Sequence, residues 1–144
     1  MVSRTDIPER ELSRRVRVCS TGWGVAEERK LILVVEDDPD VGPVMEHVLI
    51  SAGYRVQLVA ALAEALSQLQ SRTYDLVLTD VMLPDGNGIG IADAASDRGI
   101  ACLVVTGHAL RLPVEDLARH EVLLKPVRPR ELVIAVERRL AGPG

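Results

Sequence analysis

LILVVEDDPD, residues 31–40, decides how the rest of the chain is read. Five aliphatic residues without a polar interruption run directly into three carboxylates. A run this short, apolar at every position, reads as a strand buried on both faces, as in a parallel sheet. Three more runs follow the same plan: Leu76–Thr79 ahead of Asp80, Leu103–Val105 ahead of Thr106, and Val122–Leu124 ahead of Lys125-Pro126. If these are parallel strands of one sheet, the groups behind their carboxyl ends converge on one edge, where open α/β sheets place their sites.

Working outward, helical patterns separate the runs, the signature of repeated βα units. Strand one spans about 31–35. Asp38 then stands as a helix N-cap with Pro39 at the first helical position. Val41, Val44, Met45, Val48, Leu49 and Ala52 recur at helical spacing and predict a core-facing stripe, which Gly53 ends. Strand two is expected over about 54–59, and helix two over about 61–71 with Leu62, Ala65, Leu66 and Leu69 on one face. Strand three covers about 75–79 and meets the turn cluster Pro84-Asp85-Gly86-Asn87-Gly88. A short Ala-rich helix follows at about 88–97, closed by Gly99. Strand four lies at about 101–105. Between 108 and 120 Pro113 intervenes, and only Val114–Arg119 reads as helix. Strand five takes about 121–124. The last helix, about 129–140, opens with Pro129 and buries Leu132, Val133, Val136 and Leu140.

The 144 residues correspond to one domain with a core large enough to stand without staples. With no Phe at all, that core is built from Val, Leu, Ile and Ala. Two distant cysteines, Cys19 and Cys102, point to reduced thiols and a cytoplasmic chain rather than a disulfide scaffold. No apolar run approaches the roughly 18 residues of a membrane span, and no secretory h-region opens the chain. Residues 1–29 carry six Arg against five acids and lack periodicity, so a flexible or loosely docked extension is expected, with Trp23 as a docking or loop residue. Residues 30–144 carry 11 basic and 16 acidic residues, a balance that argues against direct DNA binding. The domain expected is 30–141, with no effector domain after it.

The converging groups have a chemistry. Two carboxylates about 4 Å apart repel by roughly 4 kcal/mol at an effective dielectric near 20. Glu36, Asp37 and Asp80 together therefore call for a cation, and hard oxygen donors with open positions suit Mg²⁺ or Mn²⁺. Asp80 could attack phosphorus as a carboxylate nucleophile. Catalysis of phosphoryl transfer is mostly positioning and charge neutralisation, for which Thr106 and Lys125 provide a hydroxyl and an ammonium. Taken singly, each residue has an ordinary structural use as a cap, a turn or a strand exit. The ordered set does not.

The segments VVEDDPD, YDLVLTDVMLPDGNG, VVTGH and LLKPVRP make residues 30–141 resemble the receiver domain of bacterial two-component response regulators. The resemblance implies a flavodoxin-like (βα)5 fold, a five-stranded parallel sheet of order 2-1-3-4-5 with helices on both faces. It implies that Asp80 is the phospho-acceptor, loaded by a sensor histidine kinase or phosphotransfer protein. Glu36 and Asp37 match the acidic metal pair, with the Met82 backbone carbonyl as a further ligand. Thr106 matches the switch hydroxyl and Lys125 the phosphate-binding lysine, usually joined to the following proline by a cis peptide. Output would pass by contact to a protein the sequence does not name, and a homodimer is compatible with the family.

Two departures stand out. The position three before the lysine, usually Tyr or Phe, is Val122, which leaves the aromatic readout without its ring. The spacings Asp80–Thr106 and Thr106–Lys125, 26 and 19 residues, are shorter than is common, which predicts trimmed third and fourth helices. Signalling is then expected through a remodelled surface around the fourth helix, or through the first and fifth. Two rival readings remain: a pseudo-receiver, a phosphorylation-independent interaction module; and a haloacid-dehalogenase-like phosphatase, against which the nucleophile's place after the third strand, with Met82 two residues on, argues. His47 and His120 are expected to be bland, as is His108, for which a place bordering the phosphate, two residues after Thr106, stands as the alternative reading.

Overall fold

The computed structural model describes residues 29–107 and 113–141. The expectations for residues 1–28, among them the Arg-rich extension, Cys19 and Trp23, lie outside the described residues, as does that for His108. The apolar runs form β1 (Leu31–Val35), β2 (Arg55–Val59), β3 (Leu76–Asp80), the two-residue β4 (Met82–Leu83) and β5 (Gly86–Asn87), β6 (Ala101–Thr106) and β7 (Glu121–Leu124). The periodic segments form α1 (Val41–Ser51), α2 (Leu62–Ser71), α3 (Ile89–Asp97), α4 (Val114–Arg119) and α5 (Pro129–Leu140). The main sheet has five parallel strands in the order β2-β1-β3-β6-β7. Counting only its own strands, this is the expected 2-1-3-4-5, with its switch point between β1 and β3.

Side chains alternate across the sheet and join two cores. Leu31, Leu33, Val35, Val77 and Val104 pack with Ala65 and Leu69 of α2 and Ile91, Ala92 and Ala95 of α3. Ile32, Val34, Leu76, Leu78, Leu103 and Val105 pack with Met45 and Leu49 of α1 and Leu132, Ala135 and Val136 of α5. Every position of β1, and Leu76, Val77 and Leu78 of β3, therefore meets a helix layer, which is why those runs tolerate no solvated residue. Cys102 sits in the first core, and burial pushes its thiol up to about 12, which leaves it inert. Among the described residues no helix is long and apolar enough to cross a membrane.

The structure changes several local expectations. Helix α1 begins at Val41, not at Pro39, because Pro43 has no N–H to extend the ladder back one turn. Asp38 nevertheless behaves as a cap: its Oδ1 accepts from Asp40 N at 2.8 Å and Val41 N at 3.2 Å, and its carbonyl accepts from Gly42 N. These two N–H donors hold its carboxyl below the usual aspartate range. The α1 stripe is narrower than its periodicity suggests. Val44 is 57% exposed and Ala52 is on the surface, since among the described residues no element covers that flank. In α5, Val133 is only half-buried and Ala135 takes the core position. Helix α2 starts at Leu62 and α3 at Ile89, one residue later than read. The turn cluster after Asp80 is built as a small antiparallel ribbon, Met82 pairing with Asn87 and Leu83 with Gly86. The trimmed helices are seen directly: α3 has 9 residues and α4 only 6.

Candidate functional site

Register places the acids. Val35 of β1 pairs with Thr79 of β3, so the next residues along, Glu36 and Asp80, leave neighbouring strands side by side. Both are buried, at 4% and 7% exposure, while Asp37 turns to solvent. One carboxylate oxygen from each of Glu36, Asp37 and Asp80 lies within 4.8 Å of the others. Asp80 Oδ1 accepts from Val81 N at 2.7 Å and from Met82 N at 3.4 Å, which orients the carboxylate toward its own following loop.

Lys125 arrives from the sheet edge. Thr106 pairs with Leu124, and Lys125 N donates to Thr106 O at 2.9 Å, so the lysine leaves β7 beside the end of β6. The Lys125-Pro126 peptide is cis. Lys125 Nζ donates to Asp80 Oδ2 at 3.0 Å and stands 2.8 Å from Glu36 Oε1. The second contact is a close ion pair off the hydrogen-bonding direction, and it leaves Glu36 Oε1 buried without a hydrogen bond. Burial raises the pKa of Glu36, and the Asp80 charge adds to it, against the contacts from Lys125 and the Asp38 N–H. For Lys125 burial is the largest influence and acts downward, but Glu36 and Asp80 together outweigh it, and the ammonium is held above its ordinary value.

Fully ionised, three carboxylates and one ammonium leave two uncompensated negative charges, the charge of one divalent cation. Hard oxygen donors, a buried carboxylate oxygen lacking a hydrogen bond and that residual charge fit Mg²⁺ or a similar ion.

Thr106 is fully buried at the end of β6, on the strand between Asp80 and Lys125 in the sheet order. Met82 lies in β4, its side chain exposed. The described residues thus gather Glu36, Asp37, Asp80 and Lys125 directly, with Thr106 and Met82 on adjoining backbone. Val122 is only partly buried against the α2–α3 core. His47 is on the surface as expected. His120 is more engaged than its sequence suggested: its nearly buried ring meets Asp93 Oδ1 at 2.8 Å, and Arg119 reaches the same carboxylate at 3.0 Å.

Three supporting residues escaped the sequence reading. Thr79 Oγ1 donates to the Asp80 carbonyl at 2.8 Å. Gly88 lies so close that an added Cβ would stand 1.8 Å from that carbonyl oxygen, so only glycine fits there. Asp85 accepts from Leu62 N at 2.7 Å and Ala63 N at 3.0 Å, capping α2 from a loop more than twenty residues away. A glycine in a turn cluster was legible, but its tight approach to Asp80 was not, and no local signal marks a cap that distant.

Comparison with known proteins places this arrangement. The response regulator receiver domain family matches residues 32–137. The response regulator receiver protein CpdR of Brucella abortus is 35% identical over 116 residues, which cover 77% of this chain and 97% of that protein. The DNA-binding response regulator MtrA of Mycolicibacterium smegmatis is 32% identical over 116 residues, 78% of this chain and 51% of its own length. The chain thus spans about half the length of the MtrA proteins it matches. Among solved structures, the receiver domain of the sensor histidine kinase PA1611 from Pseudomonas aeruginosa superposes with a TM-score of 0.71 at 30% identity, covering 79% of this chain and 99% of that one. That crystal structure has a magnesium ion coordinated in its active-site cleft.

Proposed function

The chain belongs to the response regulator receiver domain family, and on that premise we propose that Asp80 accepts a phosphoryl group from the phosphohistidine of a sensor histidine kinase or phosphotransfer protein. Receiver domains are signalling modules rather than classical enzymes, and this one assists its own loading. The observation that carries the reading is Asp80 itself: a buried carboxylate at the end of a central strand, 3.0 Å from Lys125 Nζ, beside Glu36 and Asp37.

In the transfer, an Asp80 carboxylate oxygen forms the bond to phosphorus while the N–P bond of the donor histidine breaks and its electron pair returns to the imidazole. Lys125 exchanges its carboxylate contacts for a phosphoryl oxygen, and the Thr106 hydroxyl takes another. Glu36, Asp37, Asp80 and the Met82 carbonyl would hold Mg²⁺ or Mn²⁺. When bound, the ion supplies charge neutralisation to the phosphoryl oxygens. The product adds about −1.5 to −2 charges beside Lys125 and shifts a two-state equilibrium. With Val122 in place of an aromatic ring, output passes through protein contact at another surface, to an output protein or a second copy. The reading places the chain in the bacterial cytoplasm, without direct DNA binding by this domain.

The test is incubation with acetyl phosphate and Mg²⁺, followed by peptide mapping. The expected product is a hydroxylamine-labile adduct on Asp80, absent from Asp80→Asn. A wild-type chain that takes up no phosphoryl group would leave the pseudo-receiver reading in its place. Steady turnover of added phosphomonoesters would instead mark a phosphatase, which the family membership does not support.

A further inference from the structure

Helix α2 has no capping side chain of its own. Its N-cap is Ala61, whose methyl cannot accept a hydrogen bond from the first turn. The missing acceptor comes from Asp85, whose two carboxylate oxygens take the N–H groups of Leu62 at 2.7 Å and Ala63 at 3.0 Å. These donors hold the Asp85 carboxyl below its ordinary range, which marks the interaction as one made by the charged form.

Asp85 stands at the tip of the β4–β5 ribbon, between Leu83 and Gly86. The other end of that ribbon is fastened to the site. Met82 N donates to Asp80 Oδ1, Gly88 N donates to Val81 O at 2.7 Å, and Gly88 packs on the Asp80 carbonyl. A second contact seats the tip: a Cβ on Gly86 would stand 2.5 Å from Leu62 Cδ2, so the tip lies directly against the first turn of α2. A two-rung ribbon is marginal on its own. Its position is set at three places: at Asp80, by Leu83 buried in the α2–α3 core, and at its tip on α2.

We propose that Asp85 is a positioning residue for the phosphoryl site: by clamping the ribbon tip to the N-terminus of α2, it preorganises the Asp80–Gly88 loop, and with it Met82, for the divalent cation. The inference rests on the metal site described above and extends it to a residue that touches neither metal nor phosphate. Freed from Leu62 and Ala63, the ribbon keeps its Leu83 anchor but loses the hold on its tip, so part of the loop's order must come from the ion, and that ordering weakens binding.

Calorimetric titration with Mg²⁺ alone, without phosphodonor, tests it. Asp85→Ala is expected to raise the Kd by about five-fold or more. Asp85→Asn retains one acceptor and should fall between Asp85→Ala and wild type. Leu69→Val, a buried change at the far end of α2, controls for lost stability and should leave the Kd within two-fold of wild type. An Asp85→Ala protein that binds Mg²⁺ as wild type does, while its Leu62 and Ala63 amides exchange faster, overturns the proposal. So does a Leu69→Val protein weakened equally. If Asp85→Ala does not fold, the ranking of wild type over Asp85→Asn decides in the same way, equal affinities overturning it. Absence of Mg²⁺ binding by wild type would strike the metal site itself, a different failure.

Discussion

Strands β1 and β3 are buried at every position, whereas β7 is half-buried over its first three residues and ends on Leu124 at 61% exposure. Both regions contribute to one site. The central strands deliver Glu36 and Asp80 from backbone locked between two helix layers. The edge strand, paired among the described residues on one side only, by β6, delivers Lys125. The carboxylates are thus fixed by packing and the ammonium by its ion pairs. A group held by charge can change partners when charge arrives, while one held by packing stays where the chemistry needs it.

The widest gap between the two regions should appear in stability. Leu78→Ala in β3 removes a fully enclosed side chain and should cost about 2–5 kcal/mol by denaturant unfolding. Leu124→Ala in β7 should stay within about 0.5 kcal/mol. Similar losses at both positions would erase the distinction between a packed and an open strand.

A smaller effect is expected where the regions meet. Lys125→Met keeps most of the side chain's bulk but strips the counter-charge from Glu36 and Asp80. Breaking a fully buried pair costs about 3–5 kcal/mol, but Lys125 is 25% exposed, so about 1–2 kcal/mol is expected without divalent cation. If unfolding of Lys125→Met matches wild type under those conditions, the lysine is not held by its ion pairs.

The gentlest probe is the cap on α2. The folded-state pKa of Asp85 lies below its ordinary 3.8, so its contribution is present above that value and is lost as pH falls through the lowered one. Asp85→Ala should therefore melt below wild type at neutral pH, and the two melting temperatures should converge as pH drops below about 3.8. A gap of constant width down to low pH would show that the charged carboxylate is not what fastens the ribbon tip.

How legible each residue was follows the same divide. Glu36, Asp80, Thr106 and Lys125 could be read because each ends an apolar run, and where a buried strand stops is written in its own few residues. Val44 was misread because periodicity gives the face of a helix but not which part of that face another element covers. Asp38 was half-read: its capping was evident, but the missing N–H of Pro43 moved the start of regular helix to Val41. His120 offered no pattern at all, since its partner Asp93 lies on α3, far back along the chain.

By itself the sequence determined the alternation of strands and helices, their order and the reactive group behind each strand. These depend on neighbouring residues: apolar runs, turn formers and caps act over a few positions. Only the tertiary structure decided that Val35 pairs with Thr79, that Lys125 spans two carboxylates, and that Asp85 closes a helix begun more than twenty residues earlier. Register and through-space pairing arise when separate elements dock, and no local stretch of chain carries that information.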